Sequence, residues 1–229
     1  MHQDLKGRIS KRQTRRFLRA LHCSGLAMVA WAGLMLLDPA AAEPLFQGST
    51  ILPAATETIS SGGPAGSTPA SKAFCRRQPQ ECAVDASEPV VLSLTQELWL
   101  TIVEVNERVN RTILAVTDQD HWGEMDRWDY PDDGLGDCED IQLLKRKLLV
   151  EAGIPRRVLR MTVVIDEQGE GHAVLMVHTD HGDFILDNKS DTVLAWRQTG
   201  YHYVKREGDD GAAWVWLGDQ IAPIVTANN

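Results

Sequence analysis

Residues 158–187 place the strongest constraint on the fold, because runs of Val, Ile, Leu and Met alternate there with short polar turns. The sequence Asp180-His181-Gly182-Asp183 is typical of a turn between two strands. Similar apolar runs follow closer to the carboxyl end of the chain. The predicted strands are residues 158–165, 172–179, 184–187, 201–204 and 214–217. The second half of the chain is therefore expected to form an antiparallel sheet.

Two helices are predicted ahead of these strands. The first has an apolar face at helical spacing and Thr95 as its N-cap, whereas the second begins near Gly136 and ends at Gly153 and Pro155. The apolar faces are Leu94, Leu98, Ile102, Val105, Val109 and Ile113 in the first helix, and Ile141, Leu144 and Leu148 in the second. Helices followed by a run of strands predict an α+β domain, with the helices packed on an antiparallel sheet.

The amino-terminal segment has the order of features of a secretory signal. A basic stretch precedes an apolar stretch of 13 residues, 25–37, and Ala40-Ala41-Ala42 supplies small residues for cleavage near Ala42. The apolar stretch is shorter than the roughly 20 residues that span a bilayer. We therefore predict a signal peptide at 1–42, no stable membrane insertion after cleavage, and a periplasmic location. Residues 43–72 are rich in Ala, Ser, Gly and Pro and predict a flexible linker, so the folded domain is expected at 73–223.

The charge excludes one class of partner. The formal net charge is −9, and residues 1–42 carry seven Lys or Arg against two Asp or Glu, so the remainder holds 16 basic and 30 acidic residues, a net charge of −14. Nucleic-acid binding needs Lys and Arg to replace the counterions of phosphates, and this chain lacks such a patch. An acidic surface favours cationic partners or metal ions.

The cysteines separate into three groups. Cys23 lies in the predicted signal peptide. Cys75 and Cys82 are close in sequence with Pro79 between them, which predicts a disulfide in an oxidising compartment. Cys138 remains as a single thiol of the exported chain. It is either a small buried apolar residue or a reactive group.

Cys138 lies at the start of the second predicted helix, where free N–H groups and the helix dipole favour a thiolate. His172 begins one predicted strand and Asp187 ends the next, on the same face of the hairpin if its loop has an even length. With Asp180 and His181 at the middle of the turn, the two residues become diagonal neighbours, about 7–8 Å apart along the backbone. Cys138, His172 and Asp187 are therefore the candidate catalytic triad, and His178 and His181 are the alternative bases.

Acidic residues crowd Cys138 on both sides. Asp137 and Glu139 oppose thiolate formation, because negative charge raises the pKa of a thiol. They favour either capping of the helix or binding of Ca²⁺, which prefers oxygen ligands. The spacing of His178 and His181 suggests zinc only weakly, because no third ligand is evident. Trp122 and Trp128 are interpreted as core aromatic residues rather than oxyanion donors.

Several motifs together resemble the bacterial transglutaminase-like cysteine peptidase family, over residues 74–216. They are Gly136-Asp137-Cys138-Glu139-Asp140, Leu143-Leu144-Lys145-Arg146, Gly153-Ile154-Pro155, Gly171-His172-Ala173-Val174-Leu175 and Leu186-Asp187-Asn188. The resemblance implies a papain-like core that hydrolyses protein or peptide substrates, with Cys138 as nucleophile, His172 as general base and acid, and Asp187 as its orienting group.

The resemblance also implies a metal and a regulator. In the LapG-type branch of periplasmic proteases, calcium is held by acids that match Asp137 and Glu139, and a membrane receptor restrains the enzyme. Residues 128–133 and the Cys75/Cys82 pair are more similar to the family's less characterised branch. Acyl transfer to an amine, as in transglutaminases or amidases, uses the same triad, and a non-catalytic peptide-binding module is a further alternative.

Overall fold

The computed structural model describes residues 51–210 and 213–218, so the predicted signal peptide at 1–42 lies outside the described residues. The helices are α1 Pro69–Arg77, α2 Pro79–Cys82, α3 Gln96–Thr112, α4 Asp118–His121 and α5 Cys138–Glu151. The strands are β1 Ser61–Ala65, β2 Leu114–Ala115, β3 Leu135–Gly136, β4 Leu159–Ile165, β5 Gly171–Thr179, β6 Gly182–Asp187, β7 Ser190–Ala195, β8 His202–Glu207 and β9 Trp214–Leu217. Helices packed on an antiparallel sheet confirm the predicted α+β class.

Seven strands form one sheet in the order β1-β9-β8-β4-β5-β6-β7, and every neighbouring pair is antiparallel. All five predicted strands are present. The sequence analysis did not predict β7, because this strand starts with polar residues and only two residues separate it from β6. A separate parallel pair joins β2 to β3, with Leu114 opposite Leu135. This small pair positions the starts of α4 and α5 side by side.

The two long helices follow the sequence predictions. Thr95 caps α3, since its side-chain oxygen accepts a hydrogen bond from the Leu98 N–H at 3.3 Å. The buried face of α3 carries Trp99 and Ile102 among others, and α5 follows it in the main core through Leu143 and Leu149. Both helices pack on the same face of the sheet, α5 against β5 and α3 against β7.

The amino-terminal part of the described chain corrects the linker prediction for residues 51–72. Ser61–Ala65 pairs with β9 at the edge of the sheet, although Gly and Pro in this run weaken its intrinsic strand propensity. Upstream, Ile59 is buried in a second apolar cluster on the opposite face of the sheet from α5. The Thr56 N–H also donates to the His181 carbonyl at 2.8 Å. Tertiary hydrogen bonds and burial of Ile59 therefore outweigh the low local propensity.

Gly182 shows how closely this segment packs. Its φ is +110°, and a Cβ there would lie 2.5 Å from the Cγ2 atom of Thr56. Only glycine meets both requirements without displacing the segment. Among residues 51–210 and 213–218, no helix is long and apolar enough to cross a membrane.

A buried ion cluster ties α5 to the sheet. Glu207 at the end of β8 accepts hydrogen bonds from Arg146 and Arg156, each at 3.1 Å, and from the Met161 N–H. Burial opposes ionisation of Glu207, but the two guanidinium groups and the N–H outweigh it and lower its pKa. The predicted Cys75–Cys82 disulfide is formed beside this cluster.

Glu207→Gln is expected to lower the free energy of unfolding by about 3 kcal/mol at pH 7, because two buried guanidinium groups lose their counter-charge. The folded pKa lies below the unfolded one, so this stabilisation is present above the unfolded pKa and is lost as the pH falls through the folded pKa. Urea unfolding at neutral and acidic pH measures the difference. The exposed Glu104→Gln is the matched control, and equal midpoints for the two variants would contradict the prediction.

Candidate active site

Cys138 is the first residue of α5, as predicted, and it is the free cysteine of the described residues. The chain reaches it through β3 and a tight approach at Gly136, where a Cβ would lie 2.9 Å from the Cβ of Asp140. This close packing brings β3 directly against the first turn of α5. The thiol is partly exposed and lines a cleft between the helix start and the sheet.

His172 and Asp187 meet on adjacent strands. Thr179 pairs with Gly182 and Leu175 with Leu186, so the turn is centred on Asp180 and His181 as the prediction required. In this register the Nε2 atom of His172 lies 2.8 Å from Oδ1 of Asp187, and both side chains are buried. The diagonal pairing expected from the sequence is therefore the one observed.

Asp187 is held in its ionised form. Its Oδ2 atom accepts a hydrogen bond from the Tyr201 hydroxyl at 2.5 Å, and its Oδ1 also accepts from the Lys189 N–H at 3.0 Å. Burial by itself raises the pKa of Asp187, but His172, the Lys189 N–H and Tyr201 together lower it below its ordinary value. Asp187 can thus stabilise positive charge on His172.

The thiol and the imidazole share the same cleft. The backbone N–H of Ala173, the residue after His172, donates to Sγ of Cys138 at 3.4 Å. Since Nε2 of His172 is engaged by Asp187, Nδ1 is the ring nitrogen left to exchange a proton with a group in the cleft. The structure therefore brings Cys138, His172 and Asp187 together.

Residues that the sequence analysis did not single out hold the turn after Asp187. The side-chain amide of Asn110 in α3 donates to the carbonyls of Asp187 and Ser190, at 2.9 and 3.0 Å. Asn106 donates to the Ser190 carbonyl and accepts from Lys145 Nζ at 2.8 Å. Burial lowers the pKa of Lys145 to about 7. In the sequence, only the spacing of Asn106 and Asn110, one helical turn apart, indicates this link between α3 and the turn after Asp187.

Acidic residues gather on the other side of Cys138. Asp118, Asp137 and Glu139 each offer one carboxylate oxygen to a group whose atoms lie within 4.8 Å of one another. Asp137 and Glu139 were predicted. Asp118 was missed because its proximity depends on the β2–β3 pair, which sets the Asp118 N–H 3.3 Å from Oδ2 of Asp137. The side chain of Asp137, the N-cap residue of α5, makes no capping hydrogen bond.

This acidic cluster, Asp118, Asp137 and Glu139, fits a hard cation. Oδ1 of Asp118 and Oδ1 of Asp137 are buried, and neither has a hydrogen-bond partner within the described part of the chain. The Asp118 residue as a whole is only 1% exposed. Burial raises the pKa of all three carboxyl groups, and repulsion within the cluster raises it further at Asp137 and Glu139. Three oxygen donors, two of which have an orphaned buried oxygen, match the ligand preference of Ca²⁺.

The same charges act on the nucleophile candidate. Burial, followed by the charges of Glu139 and Asp137, raises the pKa of the Cys138 thiol well above its ordinary value. The thiol donates to Oε2 of Glu139 at 3.2 Å. A counter-charge at the acidic cluster is thus what the site needs to favour a thiolate.

The alternative residues lie elsewhere. His178 pairs with Asp183 at 2.5 Å and His181 bonds the Pro53 carbonyl at 2.9 Å, both at the turn end of the hairpin. His178 is six residues from His172, about 20 Å along an extended strand. Trp128 belongs to the core, as predicted, whereas Trp122 is 42% exposed, which corrects the prediction of a buried aromatic residue.

A helix-start cysteine against a His–Asp pair on an antiparallel sheet defines an α+β domain of the papain-like and transglutaminase-like class. The family model described as bacterial transglutaminase-like cysteine proteinase BTLCP matches residues 63–222, so the chain belongs to this family. The match begins inside β1, in agreement with the observed start of the sheet.

Solved structures of LapG from Legionella pneumophila are similar to the chain. One LapG structure is 26% identical, covering 54% of this chain and 71% of LapG at a TM-score of 0.45. A calcium-bound LapG structure is 23% identical, covering 69% of this chain and 84% of LapG at a TM-score of 0.44. A search of curated proteins gives no match.

Proposed function

We propose that the chain is an exported cysteine endopeptidase that hydrolyses peptide bonds of a periplasmic or surface protein. Cys138 is the nucleophile, His172 the general base and acid, and Asp187 the orienting group. One observation carries the proposal: Cys138 and His172 line one cleft, and His172 is paired with the buried Asp187, in a chain of a cysteine proteinase family. The predicted signal at 1–42 and the Cys75–Cys82 disulfide support export to an oxidising compartment.

The geometry supports a two-step hydrolysis. His172 takes the thiol proton at Nδ1, and Sγ attacks the carbonyl carbon of the substrate. Free N–H groups at the start of α5 stabilise the oxyanion that forms beside Cys138. His172 then donates its proton to the leaving amine, and the thioester is hydrolysed when His172 accepts a proton from water. Asp187 keeps the ring oriented and stabilises its charged form throughout.

The acidic cluster is proposed to hold Ca²⁺ through Asp118, Asp137 and Glu139. When bound, the ion supplies positive charge that offsets the repulsion opposing a thiolate at Cys138. Two features of the cluster support this assignment: the orphaned buried oxygens of Asp118 and Asp137, and the raised pKa values of its carboxyl groups.

N-terminal proteomics of the exported fraction tests the peptidase. Cells with the wild-type chain are compared with cells carrying Cys138→Ala, with and without a calcium chelator. A peptidase gives new protein N-termini only in the wild type, and chelation removes them. Unchanged termini would overturn the proposal, and incorporation of a labelled amine into a Gln-containing protein would identify a transglutaminase instead.

Asp137→Asn is expected to weaken Ca²⁺ binding at least about tenfold, because it removes a charged ligand from a site of three carboxylates. Calorimetric titration of the purified protein with CaCl₂ measures this directly. Calcium at about 100 times its Kd is also expected to stabilise the wild type by about 2.7 kcal/mol. The neighbouring exposed Asp132→Asn is the control, and equal affinities for both variants would exclude this site.

Tyr201→Phe is expected to lower kcat about tenfold, because the ionised Asp187 loses a hydrogen bond of roughly 1.5–3 kcal/mol. KM is expected to remain close to the wild-type value, since Tyr201 contacts Asp187 and not the cleft. Tyr203→Phe provides the control, because the Tyr203 hydroxyl bonds Thr199 instead. Steady-state kinetics that show the same kcat for both variants would contradict a role for Tyr201.

A further inference from the structure

The chain between α4 and Trp128 forms a short loop beside the cleft. Residues 122–127 of this loop, the 122–127 loop, carry two large apolar side chains in the open: Met125 is 57% exposed and Trp122 is 42% exposed. Met125 and Asp126 line the same cleft as Cys138 and His172. An exposed apolar pair on one loop, of which Met125 lines the cleft, is more informative than a scattered surface residue.

Contacts with neighbouring side chains fix the position of the Trp122 ring. Its ring stacks on His121, with ring centroids 3.9 Å apart, and the Arg127 guanidinium lies 4.5 Å from its centroid. His121 is itself fixed by a hydrogen bond of 2.8 Å from Nε2 to Asp133. A rigid aromatic side chain of this kind loses little conformational entropy when it binds a partner.

The carboxyl-terminal end of the loop is tied to the acidic cluster. The N–H of Arg127 donates a short hydrogen bond to Oδ2 of Asp118. The carboxyl group of Asp126 lines the cleft with Asp137 and Glu139, and burial together with repulsion from Asp118 raises its pKa. Four carboxyl groups thus meet where the loop joins the cluster, and without a cation they repel one another. The buried Oδ1 atom of Asp118 has no hydrogen-bond partner among the described residues, which is independent evidence for a bound cation.

We propose that calcium at the acidic cluster orders the 122–127 loop as one wall of the cleft, and that Trp122 and Met125 bind apolar residues of the substrate polypeptide beside the scissile bond. The inference rests on the proposed function and extends it to substrate class. Continuity of Met125 with the cleft that holds Cys138 identifies the occupant as the substrate rather than another protein. Calcium then acts on substrate binding as well as on the thiol.

The first arm of the test measures the loop without using activity. Hydrogen exchange of the full chain is followed in CaCl₂ and in chelator, for a peptide covering residues 119–128 and for a peptide from β8 as reference. Calcium is expected to slow exchange in the loop at least about tenfold and to leave β8 unchanged. Asp126→Asn is expected to reduce this protection. Calcium binding by calorimetry without any change in loop exchange would overturn the proposal.

The second arm measures substrate preference. A positional-scanning peptide library is digested with the wild type, Trp122→Ala, Met125→Ala and Leu100→Ala, whose Leu100 is a comparably exposed apolar residue on α3. The wild type and Leu100→Ala are expected to prefer large apolar residues at one or two positions. Loss of either loop side chain is expected to raise KM for those peptides about tenfold.

The outcomes separate the two proposals. Preferences that are the same in all four proteins would overturn the substrate contact while leaving the peptidase intact. A wild type that cleaves no library peptide and no exported protein would overturn the proposed function and the substrate contact with it. In that case loop exchange still decides whether calcium orders the loop.

Discussion

Cys138→Ala is expected to lower kcat/KM for peptide hydrolysis by about 10⁴-fold or more, because no other group of the cleft can form the acyl-enzyme. Residual turnover over the uncatalysed reaction then comes only from substrate binding and oxyanion stabilisation. Cys138→Ser is expected to lower kcat/KM by a similar factor. The His172–Asp187 pair is arranged to deprotonate a thiol, and a hydroxyl group is far less acidic. Cleavage of a protein substrate, followed by mass spectrometry of the new termini, measures both variants.

The result is informative only if the Cys138→Ala and Cys138→Ser variants remain folded. Among the described residues, the Cys138 thiol forms hydrogen bonds with Ala173 and Glu139 at the edge of a cleft, so both variants are expected to melt within a few degrees of the wild type. Iodoacetamide at neutral pH, with calcium present, is expected to alkylate the wild type and neither variant. A Cys138→Ala protein that folds and retains normal turnover would remove Cys138 from the mechanism.

Asp187→Asn is expected to reduce kcat about 10³- to 10⁴-fold, because the neutral amide neither orients His172 in the required tautomer nor stabilises the imidazolium. The loss is larger than for Tyr201→Phe, since that variant keeps the Asp187 carboxylate and the ring that packs against His172. The acidic limb of the pH profile of kcat provides a second measurement, because the variant lacks the Asp187 carboxylate, whose pKa is lowered in the wild type.

The hairpin contains its own control for this experiment. Asp183 forms the other His–Asp pair, with His178 at 2.5 Å, at the opposite end of β5 and β6. Asp183→Asn removes the same chemistry from a pair outside the cleft and also weakens the bond to the Ile59 N–H. It is expected to lower stability without lowering kcat. Equal losses of kcat in the two variants would mean that the Asp187 effect is structural.

The candidate triad could be predicted because it depends on local patterns. A helix start placed Cys138, and a hairpin with a recognisable turn fixed which residues of the two strands face each other. Strand pairing has a period of two, so a correct turn centre determines the partner of every residue, including the diagonal neighbours His172 and Asp187. The disulfide was predictable for the same reason, since Cys75 and Cys82 are separated by only seven positions.

The errors arose where distant segments meet. Residues 51–72 have the composition of a linker, yet β1 finds its partner in β9, about 150 residues later in the chain. The large aromatic side chain of Trp122 favours a core position, yet its neighbours leave it 42% exposed. Composition describes how a segment behaves by itself, and these two segments are determined by what packs against them.

By itself, the sequence determined the α+β class, the helix-start thiol and the His–Asp hairpin, because short-range periodicity and turn chemistry encode them. Only the tertiary structure decided that Asp118 joins the acidic cluster, that Asn106 and Asn110 hold the turn after Asp187, and that Met125 and Asp126 line the cleft. The β2–β3 pair is just two residues long, and its register brings Asp118 to Asp137 across 19 positions of chain. Such a contact follows from packing of the whole domain, because no local preference of either segment specifies its partner.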